Sequence, residues 1–547
     1  MEVFYKGNKY DIQEGTILRE AFQKEMEESE VEDIIAARLA NSIESLNYQI
    51  AKSGELEFFN RTDRDGRIIY IRGLLFIMSK AFNELYPKLL LNVNYQLSNA
   101  MYGDAEDIEV TEEMVQNVKA KMQEIINKDM PIRKVVMTRI EAEAFYKKYG
   151  TIRGRLQTDV DKERVSLYFC EDYFNYFYGT MPISTGFAKL FDLVKYRQGF
   201  LLRYPSISNP NEIEPVVPSL KLESALDEYS EIFKLMKINT VHRLNNKIQE
   251  RNGIRDLILF NEALHEKKIA EMAEMIKEKG NVKVVLIAGP SSSGKTTFAK
   301  KLRMSLMVHG IIPKTISVDN YFVERQETPK DEKGNYDFER IDALDLNLFN
   351  NQLLDLIQGK EVNLPTFNFN TGMKEYRGTT MTLAEDEVLV VEGIHCMNDR
   401  LTSLIPPENK FKIYISDLTV LNIDYYNRIS TTDTRLIRRI VRDFKFRGYS
   451  AEHTLKMWYS VSRGEQRNIF PFQEKANIMF NSSIVYELAV LKKYALPLLE
   501  EIPKTAREYS EARRLIALLR YFADMPDDLI PNNSLLREFI GGSIFED

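Results

Sequence analysis

The stretch VVLIAGPSSSGKTTF, residues 284–298, restricts the fold of this chain more than any other. Four apolar residues lead into Ala-Gly-Pro, three serines and then Gly-Lys-Thr-Thr. The pattern fits G-x-x-x-x-G-K-[ST] with Gly289, Gly294, Lys295 and Thr296. Such a loop turns sharply, so that successive backbone N–H groups point inward at an anion. Glycine allows positive φ and close approach, and the helix that follows offers its positive end to the same anion. A strand must therefore precede the loop and a helix must follow it; KTTFAKKLRMSLMVHG (295–310) has the amphipathic pattern of that helix. Gly289, Pro290, Ser291, Ser292, Ser293, Gly294, Lys295, Thr296 and Thr297 are expected to cradle a nucleoside triphosphate. Lys295 would reach the β- and γ-phosphates, and the Thr296 hydroxyl would ligate Mg²⁺. The competing reading is a Gly/Ser turn with no ligand. No N-K-x-D signal for guanine occurs, so ATP is expected.

Further short apolar segments, KTISVD (314–319), EVLVVEG (387–393) and FKIYIS (411–416), alternate with helical patterns. That alternation predicts a parallel sheet flanked by helices. Ligands bind at the carboxyl ends of such strands. Asp319 stands at one such end and could take the proton of an attacking hydroxyl, or could merely cap the next helix. Glu392 stands at another and could help hold Mg²⁺, or could face solvent. Arg435, Arg438, Arg439 and Arg442 follow i, i+3, i+4, i+7 and share one helix face, with Arg447 beyond. A solvated basic face or an RNA patch is the alternative for such a run.

At 547 residues the chain is too long for one core. A net charge of −7 gives no global field for nucleic acid. Two distant cysteines, Cys170 and Cys396, argue against a disulfide framework and fit a reducing compartment. The five histidines never pair at metal-ligand spacing, and His395 could line the site or pack structurally. No leader pattern and no apolar run long enough for a membrane span is found, so the default location is the cytoplasm.

MEVFYKGNKYDI (1–12) reads as a hairpin, GTILREAFQ (15–23) as a helix and ELEFFN (55–60) as a closing strand, together a β-grasp unit over residues 1–60. Residues 61–215 read as an α+β domain, with a helix over 110–131 capped by Thr111 and ended by Pro131. NPNEIEPVVP (209–218) reads as a linker. Residues 216–280 read as a helical linker, 281–495 as the P-loop unit and 496–547 as a helical extension.

AGPSSSGKTTFAKKL, ISVDNYF, YDFERIDALDLNLFN, LPTFNFNTGMKEY, VLVVEGIHCMN and TDTRLIRRIVRDFKFRG occur in the order and spacing of the uridine kinase family of P-loop nucleoside kinases, which residues 283–482 resemble. The resemblance implies transfer of the γ-phosphoryl of ATP to a nucleoside 5′-hydroxyl, with Mg²⁺. It implies Asp319 as the base, and Arg439 and Arg442 as lid arginines on the transferring phosphoryl. It implies Glu339 on the ribose, where many relatives carry Asp, and Phe322, Phe367 and Phe369 around the base. Core packing is the alternative for these rings. The His that reads a pyrimidine edge in animal enzymes aligns with Gly372, a ribose-contacting Arg with Tyr449 and a Gln with Met457, which leaves the nucleoside open. Another small hydroxyl acceptor, as in phosphoribulokinase or pantothenate kinase, is the runner-up.

YDIQEGTILREAF and LNYQIAKSGELEFFN resemble the TGS domain of threonyl-tRNA synthetases, and the segment up to residue 205 loosely resembles their editing domain. The editing H-x-x-x-H pair aligns with Arg72 and Phe76, and a further histidine falls near Met181 and Pro182, so neither zinc nor editing is expected. RNA contact through this half would make the protein a nucleotide-controlled regulator, the other functional class. Homo-oligomerisation stays open.

Overall fold

Three mainly antiparallel sheets precede one parallel sheet, and the residues after its last strand pack back against it. The computed structural model describes residues 1–545 apart from 30, 32, 106–107, 149–162, 331–333, 335 and 370. The first sheet holds β1 (Glu2–Tyr5), β2 (Asn8–Asp11), β3 (Ala36–Leu39), β4 (Ser42–Glu44) and β5 (Gly54–Phe59) in the order β2-β1-β5-β3-β4. Only β1 and β5 run parallel. Val3, Leu18, Phe22, Leu39 and Leu56 fill its core. The helix expected over 15–23 is instead two short ones, Leu18–Ala21 and Gln23–Glu27, because Phe22 leaves helical geometry at φ −123° to enter that core.

Next come α1 (Arg64–Leu85), β6 (Leu91–Leu97), β7 (Ala100–Ala105), α2 (Glu112–Asn127), β8 (Arg133–Thr138), β9 (Arg164–Cys170), β10 (Tyr173–Asn175), β11 (Asp192–Tyr196) and β12 (Gly199–Arg203). They form two antiparallel sheets, β11-β12-β7-β6 and β10-β9-β8. The Thr111 side chain accepts from the Met114 N–H at 3.2 Å, the N-cap expected for α2.

Three helices follow, α3 (Leu220–Leu235), α4 (Val241–Gln249) and α5 (Gly253–Lys279). The sequence reading made residues 216–280 a linker; the helices instead bury Leu226, Phe233, Leu257, Met272 and Ile276 in the same core as Val285 and Ile287. Their apolar stripes are core faces and not the faces of a spacer.

The parallel unit contains β13 (Val284–Ala288), α6 (Lys295–Val308), β14 (Ile312–Ser317), α7 (Leu346–Ile357), β15 (Val362–Asn363), β16 (Thr366–Asn368), β17 (Met373–Glu375), β18 (Thr380–Met381), β19 (Glu387–Glu392), β20 (Lys410–Ser416), α8 (Thr431–Arg447), α9 (Ala451–Asn468), β21 (Ile478–Asn481) and α10 (Glu487–Glu500). Its sheet order is β14-β19-β13-β20-β21, with every pair parallel. Val285 and Ile287 enter one core and Val284, Leu286 and Ala288 the other, so both faces of β13 are dry. That double burial is why these strands read as unbroken apolar runs. Strand β21, only four residues long, carried no such run and escaped the sequence reading.

The chain ends in α11 (Tyr509–Leu519), an irregular stretch, and the short α12 (Arg537–Ile540). The extension expected to be helical is so only in part; past Leu519 it is held by packing, with Leu535, Phe539 and Ile540 buried. Residues between β20 and α8 stitch the halves together: Val93 N–H donates to the Tyr425 carbonyl at 2.9 Å, and Tyr178 N–H to Asn427 Oδ1 at 2.9 Å. Among the described residues, no helix is long and apolar enough to cross a membrane.

Candidate active site

The loop after β13 has the shape its composition demands. A Cβ on Gly289 would overlap the carbonyl oxygen of Ile415 on β20, so this position passes too close to the next strand for any side chain. Ser292 and Gly294 take φ +59° and +85°, turning successive N–H groups to one side, and Lys295 opens α6. The Ser482 hydroxyl, just past β21, donates to the Ser293 carbonyl at 2.6 Å.

Arg435, Arg438 and Arg439 of α8 touch this loop, and the arginines of the helix divide in two. Arg435 and Arg438 are buried struts. Arg435 pairs with both oxygens of Glu465 at 2.6 and 2.9 Å and donates to the Ser291 carbonyl at 3.1 Å. Glu465 in turn accepts from the Ser291 N–H at 2.8 Å. Arg438 pairs with both oxygens of Glu487 and donates to the Ser482 carbonyl at 2.9 Å. The hydrogen bonds to both members of each pair offset the desolvation that makes lone buried ion pairs costly. Arg439 and Arg442 lie nearer solvent and gather with Arg447 around the buried carboxylate of Asp443. Arg439 also donates to the Ser291 hydroxyl at 3.0 Å.

The carboxyl ends of β14 and β19 are in register, Ser317 opposite Glu392, and the Ser317 hydroxyl donates to Glu392 Oε1 at 3.4 Å. Asp319 follows two residues later. Glu392 is pushed up to about 7, first by desolvation and then by the charge of Asp319. Desolvation also raises Asp319, against the pull of Lys295. Yet Asp319 is exposed, so solvent screens much of that push. Desolvation lowers Lys295, while Glu392, Glu538 and Asp319 oppose it; its ammonium donates to the Pro290 carbonyl at 2.9 Å.

At the carboxyl ends of β14 and β19, Asp319 raises Glu392 while Lys295 opposes it, which makes an acidic, oxygen-bearing site. That donor set fits Mg²⁺, which binds through few protein oxygens and substrate phosphates. Among the described residues no cluster of three or more His, Cys, Asp or Glu could enclose a metal without such help.

The three rings expected on the acceptor side form one cluster. The Phe322, Phe367 and Phe369 ring centroids lie 5.1–6.0 Å apart. Phe322 and Phe367 are buried, whereas Phe369 is 57% exposed. Glu339 packs against Gly464 and is pushed up to about 7, by desolvation and then by the charge of Glu465. Gly372 leaves room that the Arg325 side chain fills, and Arg325 donates to the Phe369 carbonyl at 2.5 Å. Tyr449 and Met457 are about half exposed, at 46% and 45%. His395 is buried with neither ring nitrogen bonded to protein, and desolvation lowers it to about 4.

Sequence reasoning missed Glu465, Glu487 and Ser482, which brace the loop, and Glu538, which accepts from the Thr297 N–H at 3.0 Å. A signal existed for Glu465. Trp458, Val461 and Glu465 fall on the buried stripe of α9, and an acid in a core stripe demands a partner.

The phosphoribulokinase / uridine kinase family model matches residues 284–488. A uridine kinase of Borrelia hermsii is 31% identical over 209 residues, covering 36% of this chain and 85% of that protein. One of Ureaplasma urealyticum is 27% identical over 196 residues, covering 36% and 86%. Among solved structures, a possible uridine kinase of Bacillus stearothermophilus aligns at 19% identity and a TM-score of 0.27, over 39% of this chain and 98% of that one. Through residues 284–488 the chain belongs to the phosphoribulokinase / uridine kinase family, and it is an ATP-dependent phosphotransferase with an alcohol acceptor.

Proposed function

We propose that the enzyme moves the γ-phosphoryl of ATP to the 5′-hydroxyl of a nucleoside. The observation that carries this reading is the meeting, at one sheet edge, of Lys295, Asp319 and Glu392 beside the Phe322–Phe367–Phe369 cluster. The relatives named uridine kinase support the same acceptor class. The loop amides and Lys295 hold the triphosphate. Asp319 accepts the proton as the acceptor oxygen attacks phosphorus. Arg439 and Arg442 lie on the exposed side of α8, where a small rotation away from Asp443 would lay them on the equatorial oxygens. The Thr296 hydroxyl and the Glu392 carboxylate would hold Mg²⁺, which when bound screens phosphate charge. Phe369 offers a ring face to the base, and Glu339 accepts from ribose hydroxyls.

The test is ADP release with a panel of nucleosides. Stimulation by one or more nucleosides well above basal hydrolysis is expected; a panel with no effect would overturn the acceptor. A second reading, another small hydroxyl compound, is favoured by Arg325, a guanidinium beside Phe369 that suits an anionic acceptor. Sugar phosphates in the panel separate the two.

The β2-β1-β5-β3-β4 order supports a β-grasp, TGS-like reading of residues 1–60. Arg72 and Phe76, side by side on the buried α1, support a second domain that has lost its metal ligands.

A further inference from the structure

A second cleft, of about 370 Å³, opens away from the phosphate loop between β4, α1, β8, β9 and α11. Its charged lining is unequal. The acids are each answered: Glu44 pairs with Lys52 at 2.6 Å, Asp65 with Arg38 at 2.6 Å, and Glu511 with Arg514 at 2.8 Å and Arg64 at 3.1 Å. Arg72, Lys134, Arg164 and Arg513 line the same space, and none of the four forms an ion pair with a described residue. Lys134, Arg164 and Arg513 stand at the exposed rim. Arg72 is the floor. It donates to the Thr180 carbonyl at 2.5 Å and fills the space that a Cβ on Gly179 would need. Desolvation lowers Arg72 to about 10; Tyr168 and Tyr178 oppose this, and Arg514 adds a like charge. A guanidinium held this way, with no counter-charge among the described residues, suits an anion.

We propose that this cleft binds a small phosphorylated molecule of about mononucleotide size. The volume falls in the range of small-molecule sites, and a guanidinium backed by three further cations matches a phosphate better than a single carboxylate.

Equilibrium binding to the full chain carrying Lys295→Ala, which weakens the phosphate loop, tests this. The probes are pyrophosphate, UMP, AMP, citrate and a short RNA oligonucleotide. Pyrophosphate or a nucleotide is expected to bind with a Kd below about 1 mM. The rim variant Lys134→Gln/Arg164→Gln, chosen because exposed positions tolerate change, should weaken it about 10-fold. No saturable binding, binding indifferent to the rim variant, or binding of citrate or RNA alone would each overturn the proposal.

The C-terminal segment carries a second inference independently. Thr297 is the third residue of α6, so its N–H has no partner within the helix. That amide belongs to the phosphate cradle, yet here it donates to the Glu538 carboxylate. The surrounding segment is tied to both sides of the site. Lys301 donates to the Asn533 carbonyl at 3.0 Å, Lys445 of α8 donates to that of Ile540, and the Arg438 guanidinium lies 5.0 Å from the Phe539 ring centroid. We infer that Glu538 mimics a phosphate and that nucleotide must displace it, an autoinhibitory contact between the C-terminus and the cradle.

This rests on the cradle reading, and the two fail differently: no ATP binding by the unaltered chain would sink the cradle itself. Given binding, Glu538→Ala should tighten ATP about 3- to 10-fold, because the fraction of chains already open rises. Hydrogen exchange of residues 528–545 in the unaltered chain should increase when ATP is added, a readout that needs no variant. Unchanged or weaker ATP affinity in a folded Glu538→Ala chain, or protection of the segment by ATP, would overturn the inference.

Discussion

The two walls of the active-site cleft are built differently. The phosphate wall is held by backbone geometry and buried charge: Gly289 against β20, Gly294 at positive φ, and two bidentate arginine–glutamate pairs behind the loop. The proposed acceptor wall is the small β16–β17 ribbon, with Phe369 mostly in solvent and Arg325 resting in the gap over Gly372. A wall whose groups are locked by packing is ready before its ligand arrives; one made of an exposed ribbon adjusts to what it meets. On the proposed function, triphosphate binding sits on the rigid side and acceptor choice on the adaptable side.

The largest effects should separate chemistry from binding at the boundary of the walls. Asp319→Asn keeps shape and removes the proton acceptor. Turnover should fall about 10²-fold or more, the usual scale for a lost general base, with ATP affinity nearly intact. Lys295→Ala should lower affinity and turnover together, since its charge serves ground state and transition state alike. Single-turnover rates with titrated ATP distinguish them. An Asp319→Asn enzyme with normal turnover would remove that residue from the mechanism.

The rigid wall can be broken from behind. Glu465 touches the Ser291 N–H and both ends of the Arg435 fork, with a side chain 1% exposed. Glu465→Ala strands a buried guanidinium and frees a loop amide. The loss of stability should be on the order of 3–5 kcal/mol, measured by denaturant unfolding, and Arg435→Met/Glu465→Met should recover most of it. A single variant as stable as the parent would mean that the loop needs no brace.

These two walls were unequally legible in the sequence. Gly289 to Thr297 could be read because backbone shape demands those residues at those spacings. Asp319 and Glu392 could be read because strand ends position them. Glu465 reaches Ser291 across 174 positions and Glu538 reaches Thr297 across 241, and no local pattern encodes such meetings. The same limit hid the role of residues 216–280: their stripes were visible, but not the sheet they cover. Strand β21, IMFN, escaped as well.

On the adaptable wall the effect should be smaller. Phe369 meets Phe367 edge-on at 5.1 Å and turns a face to solvent. Phe369→Ala should raise the acceptor KM about 2- to 10-fold, the worth of one aromatic contact, and leave ATP KM alone. Equal changes in both constants would show that the ribbon also supports the loop.

The smallest effect is a pH dependence carried by Glu392 and Glu339, both pushed up to about 7 from an ordinary 4.5. The folded state holds these protons more tightly than the unfolded chain. Their contribution is therefore complete below 4.5 and is lost as pH rises through about 7. Both side chains keep some solvent access, which trims the gain. Between about pH 5.5 and about pH 8 the ligand-free enzyme should lose roughly 1–2 °C more in Tm than Glu339→Gln/Glu392→Gln does. Equal losses would mean that water fills the cleft well enough to leave both acids ordinary. The walls would then differ in packing alone.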